Sequence, residues 1–128
     1  MKTALVVDDS RAIRGILKRI LVGAGYDVAE AEDGVEALKK LKDVSNRYTL
    51  LCTDYNMPNM NGIDLLRRVR RLPHCSTVPA IMITTETHQQ SINNAISAGA
   101  NEYLMKPFTA DMVTDKLRLL GLTADVSV

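Results

Sequence analysis

The chain has 128 residues, 46% of them hydrophobic and 24% charged, with a formal net charge of +1. This length predicts one domain with a core that needs no covalent staples, and the near-neutral charge removes any bulk drive toward nucleic acid or anionic lipid. Cys52 and Cys75 fall in no zinc or redox spacing and no apolar run approaches the ~18 residues of a membrane span, so free thiols and, without a signal peptide, a cytoplasmic protein are expected.

The first apolar, β-branched run covers residues 3–7 and stops at Asp8-Asp9. Ser10 is placed to cap a helix, and Ile13, Ile16, Leu17, Ile20, Leu21 and Ala24 then recur at helical spacing, with Gly23 and Gly25 as the stop. Residues 26–31 read as a second strand, and Val35, Leu38 and Leu41 mark a helix after Asp33-Gly34. Residues 48–53 read as a third strand; Leu65, Leu66, Val69 and Leu72 mark a helix that Pro73 ends. Residues 78–84 follow as a fourth strand, and Ile92, Ala95 and Ile96 mark a helix stopped at Gly99. Residues 101–105 read as a fifth strand; Met112, Val113, Leu117 and Leu120 mark the last helix, closing near Gly121. Residues 1–122 thus form the expected domain, and residues 123–128 read as a loose tail. Arg67, Arg68, Arg70 and Arg71 read as a solvated face of the third helix. Largely uncharged strands alternating with helices predict a doubly wound parallel α/β sheet with right-handed crossovers.

In such sheets ligands bind beyond the carboxyl ends of the strands. Those ends carry Asp8-Asp9, Asp54, Thr84-Thr85 and Lys106-Pro107. Each has an ordinary reading alone: an Asp caps a helix, a Thr ends a strand, a Lys is a solvated charge. Together they place carboxylates, hydroxyls and an ammonium on one edge. Crowded carboxylates either take up protons or hold a hard cation such as Mg²⁺. The neighbouring Lys favours a magnesium and phosphoryl pocket.

The motifs Val7-Asp8-Asp9-Ser10, Asp54-Tyr55-Asn56-Met57-Pro58-Asn59-Met60-Asn61-Gly62, Ile83-Thr84-Thr85-Glu86, Gly99-Ala100-Asn101-Glu102-Tyr103 and Lys106-Pro107-Phe108 occur in this order. The chain closely resembles the response-regulator receiver family from residue 3 to about 121, and its Asp54 loop most resembles those of free-standing chemotaxis regulators. The resemblance implies a flavodoxin-like (βα)5 fold, with a five-stranded parallel sheet in the order 2-1-3-4-5. It implies that Asp54 is the phosphoacceptor, that Asp9 and Asp54 ligate Mg²⁺ directly, that Asp8 acts mainly through water, and that the Asn56 carbonyl adds a ligand. An ordinary carboxylate, with a pKa of ~3.9, is ionised at neutral pH, so such a nucleophile requires no general base. Thr84 and Lys106 would bind phosphoryl oxygens, Thr84 and Tyr103 would form the switch, and Lys106-Pro107 would be a cis peptide. Asn56, Thr85 and Glu86 would set phosphoryl lifetime, with Thr85 standing where the family commonly carries a smaller residue.

The implied partners are a sensor histidine kinase as phosphodonor, a downstream protein target such as a flagellar motor switch, and a phosphatase. The protein itself would be a monomer that transfers and loses its own phosphoryl group, without acting on an external substrate, nucleic acid or membrane. A phosphate sink, a relay intermediate or a receiver excised from a larger regulator are the alternatives. A haloacid-dehalogenase-like phosphatase is disfavoured, because that class places a second acid where Asn56 stands.

Overall fold

The structure, a computed structural model, describes residues 2–122; the tail expected at 123–128 lies outside them. The elements in chain order are β1 (Thr3–Val7), α1 (Arg11–Gly23), β2 (Asp27–Ala31), α2 (Gly34–Lys42), β3 (Leu50–Thr53) and α3 (Gly62–Arg71). A 3₁₀ turn (Pro73–Cys75) leads to β4 (Ala80–Thr84), α4 (Gln89–Ala98), β5 (Glu102–Met105) and α5 (Ala110–Leu119). The strands form one parallel sheet in the order β2-β1-β3-β4-β5, the arrangement expected above.

Successive strand residues point to opposite faces, which gives the sheet two cores. Leu5, Val7, Leu51 and Met82 face Leu38 and Leu41 of α2, Leu65, Leu66 and Val69 of α3, and Ala95 of α4. Ala4, Val6, Leu50, Cys52, Ile81 and Ile83 face Leu17 and Leu21 of α1 and Val113 and Leu117 of α5. Cys52 and Cys75 are free and buried, and burial pushes the Cys52 thiol up to about 12.

Four strands start later than the sequence reading placed them. Tyr26 instead closes α1, its amide donating to the Leu21 carbonyl, and Pro79 offers no amide for a ladder. Ile16, Val35, Ile96 and Met112 share helical spacing with the core but stand at its rim, each more than a third exposed. Pro73 ends α3 as expected and then opens the 3₁₀ turn.

The basic cluster on α3 divides. Arg67, Arg68 and Arg71 are exposed, as expected of a solvated face. Arg70 is not: its guanidinium donates to the carbonyls of Gly99 (2.7 and 3.2 Å), Cys75 (3.0 Å) and Val78 (2.6 Å) and to Asn101 Oδ1 (3.1 Å). It ties α3 to the turn before β4 and to the loop before β5. Gly99 has φ +121°, and a Cβ there would meet the Arg70 side chain at 2.7 Å, so only glycine fits beneath the clamp.

Candidate functional site

Parallel strands bring their carboxyl ends to one edge, and Asp8, Asp54, Thr84 and Lys106 meet there. Asp8 is fixed at every polar atom. Its amide donates to the Ala31 carbonyl (3.2 Å), Oδ1 accepts from the Ser10 amide (2.9 Å), and Oδ2 accepts from Lys106 Nζ (2.8 Å). Its carbonyl accepts from Arg14 Nη1 at 2.6 Å. Asp54 is 8% exposed; Oδ1 accepts from the Tyr55 amide (2.7 Å) and Oδ2 from Lys106 Nζ (3.2 Å). A Cβ on Gly62 would overlap the Asp54 carbonyl oxygen, so the glycine lets the return to α3 pass against the acid.

Asp9 is exposed, and one carboxylate oxygen from each of Asp8, Asp9 and Asp54 lies within 4.8 Å of the others. Lys106 pairs with two of these three carboxylates, Asp8 and Asp54. Burial, chiefly, raises the Asp8 pKa, and the Asp54 charge adds to it; the hydrogen bonds from Lys106 and Ser10 only partly offset this. Burial acts to lower the Lys106 pKa, but the hydrogen bond to Asp8 and the Asp54 charge outweigh it and raise the pKa overall. Lysine gains from the contact while Asp8 still bears a desolvation cost, so the cluster remains short of positive charge. An all-oxygen, partly open donor set of this kind fits Mg²⁺, which keeps several waters and takes few protein ligands.

The other expected residues ring this centre. Thr84 is 1% exposed, and its hydroxyl accepts from the Glu86 amide at 3.3 Å. Thr85 is exposed at the rim. Asn56 Nδ2 donates to Glu86 Oε2 (2.9 Å), and the Tyr103 hydroxyl donates to the Glu86 carbonyl (2.8 Å). Burial is the main cause that pushes the Tyr103 phenol up to about 12, so it stays a donor at neutral pH. The Lys106–Pro107 peptide is cis.

Two supports were missed from sequence. Arg14 is buried on the Leu17 and Leu21 side of α1, and a charge at that spacing was the available signal. Asp33 caps α2 through Oδ1 to the Glu36 amide (2.8 Å) while Oδ2 accepts from Asn59 Nδ2 (2.6 Å). Asn59 has φ +69°, so this bond anchors the Asp54 loop at its left-handed residue. Nothing local in the sequence announces that pairing.

Comparison with known proteins shows the family of the chain and relatives of its fold. A family model described as the response regulator receiver domain matches residues 4–118. The chain is 47% identical over 122 residues to chemotaxis protein CheY1 of Helicobacter pylori, covering 94% of this chain and 98% of that one. It is 45% identical over 117 residues to a chemotaxis protein CheY homolog of Campylobacter jejuni, covering 88% and 87%. Among solved structures, CheY4 of Vibrio cholerae aligns with a TM-score of 0.87 at 35% identity, covering 94% and 98%. The receiver domain of a Pseudomonas aeruginosa sensor histidine kinase, solved with magnesium coordinated in its active-site cleft, aligns with a TM-score of 0.84 at 27% identity, covering 94% and 98%.

Proposed function

Because the chain belongs to the response regulator receiver domain family, we propose that it is the phosphorylation-activated switch of a chemotaxis-type two-component system, with Asp54 as phosphoacceptor. One observation carries the assignment of Asp54: a single ammonium, Lys106, sits between its carboxylate and that of Asp8 at the sheet edge.

The residues divide the work. The Tyr55 amide holds Asp54 Oδ1, which leaves Oδ2, on the Lys106 side, to attack phosphorus. The P–N bond of a phosphohistidine on the kinase breaks, and its electron pair returns to the imidazole nitrogen. Lys106 then pairs with the incoming phosphoryl oxygens, and the Thr84 hydroxyl donates to another. Asp8, Asp9, Asp54 and the Asn56 carbonyl would hold Mg²⁺, which when bound neutralises charge on the transferring group. Phosphoryl transfer requires chiefly such positioning and charge compensation.

A phosphoryl group brings about 1.5 to 2 negative charges. Thr84 moves toward it, the Glu86 segment bonded to its hydroxyl follows, and Tyr103 repacks against them. The readout is the surface of α4, β5 and α5, offered to a downstream protein such as a motor switch. Asn56, Thr85 and Glu86 at the rim set how readily water reaches the acyl phosphate. The receiver unit is residues 1–122, acting as a cytoplasmic monomer.

The test is intact mass after incubation with Mg²⁺ and acetyl phosphate. Wild type gains one phosphoryl mass and Asp54→Asn gains none. Folded wild type that stays unlabelled with Mg²⁺ present removes the proposal.

A further inference from the structure

We propose that Arg14 is a positioning residue for this metal and phosphoryl site, acting through the backbone of Asp8; the inference rests on the receiver reading above. Arg14 lies on the core-facing side of α1 and is 9% exposed. A guanidinium is kept there only if its donors are matched, because a buried unpaired cation is strongly destabilising. Nε donates to Glu30 Oε1 at 3.0 Å, and Nη1 donates to the Asp8 carbonyl at 2.6 Å. Glu30 is shared with Lys18 at 3.9 Å. Arg14 therefore reaches the site without occupying either carboxylate oxygen of Asp8, which remain with Ser10 and Lys106.

The atom it holds decides the role. The Asp8 carbonyl belongs to the peptide plane that leads into Asp9. Asp9 is the exposed acid of the three, and among the described residues no hydrogen bond fixes its carboxylate. Its aim at a shared cation is therefore set by its backbone, and Arg14 fixes the plane on which that backbone departs. A continuous chain results, Glu30–Arg14–Asp8–Lys106–Asp54, from the edge strand β2 to the phosphoacceptor. Groups that orient metal ligands in this way commonly change metal affinity by about 10- to 100-fold.

The experiment is an NMR titration of the full chain with MgCl2, beside thermal unfolding of each variant. Wild type that is folded and shows no Mg²⁺-dependent shifts at the three acids overturns the receiver reading itself. With binding in wild type, Arg14→Lys tests the inference, because one ammonium cannot span both acceptors as the fork does. The dissociation constant is expected to rise about tenfold in both Arg14→Lys and Arg14→Met. Glu30→Ala, on the partly exposed edge strand, loosens the anchor and is expected to raise it by less than about tenfold. Arg14 variants that lose stability yet bind Mg²⁺ as wild type does overturn the inference. So does Arg14→Lys binding normally while Arg14→Met binds weakly, since charge alone would then account for the effect.

Discussion

Two cations organise two regions of this molecule in opposite ways. Lys106 stands at the carboxyl edge of the sheet between two carboxylates, with a third nearby. Arg70 sits where α3 meets the loop before β5, and all its partners are neutral oxygens. The arginine is saturated, so its region is finished as folded. The lysine is outnumbered, so its region still attracts positive charge. A cation short of matching its acids marks a place for a ligand; a cation satisfied by carbonyls marks a joint.

Substitutions should separate the two cases. The largest stability effect is expected from Arg70→Ala, which strands several carbonyls and should cost about 3 kcal/mol in urea unfolding. Mg²⁺ affinity of the folded variant should stay near that of wild type; a large loss would mean that the joint is part of the site. Lys106→Met is expected to do the reverse. With the competing ammonium gone, Mg²⁺ should bind roughly tenfold tighter, about 1.4 kcal/mol, while labelling by acetyl phosphate becomes much slower. Titration calorimetry and intact mass read the two effects.

Asp33→Ala should cost about 1 kcal/mol as a lost helix cap. Hydrogen bonds from the Glu36 amide and then from Asn59 hold the Asp33 carboxyl below the usual carboxylate range. Its contribution is therefore complete above the ordinary Asp pKa of ~3.9 and disappears as pH falls through the lowered value. Unfolding midpoints of wild type and variant should converge in acid. Arg68→Ala, two residues from the clamp and exposed, should change stability by less than about 0.5 kcal/mol. A larger loss would show that α3 uses its basic face more widely than hydrogen bonding indicates.

The same contrast explains what the sequence makes legible. Asp8, Asp9, Asp54, Thr84 and Lys106 each follow or end an apolar run, so strand alternation alone brings them to one edge. Arg67, Arg68, Arg70 and Arg71 look alike in one dimension. Which of them turns inward depends on how α3 packs against Gly99 and Val78, a relation no local pattern encodes. Ile96 and Met112 fail for a related reason: helical spacing defines a stripe, but the neighbouring element decides how wide a stripe it covers. Arg14 interrupts an apolar face, and the Glu30 carboxylate and Asp8 carbonyl opposite explain why a charge is tolerated there.

Glu86 carries one last consequence. Its side chain accepts from Asn56 and its backbone carbonyl accepts from Tyr103. If the first contact governs how long the acyl phosphate survives and the second reports that it exists, clock and message run through one residue. The two roles sit on different atoms: a substitution at Glu86 replaces the carboxylate that Asn56 bonds and keeps the backbone carbonyl that Tyr103 uses, so the reset can change while the message keeps its contact.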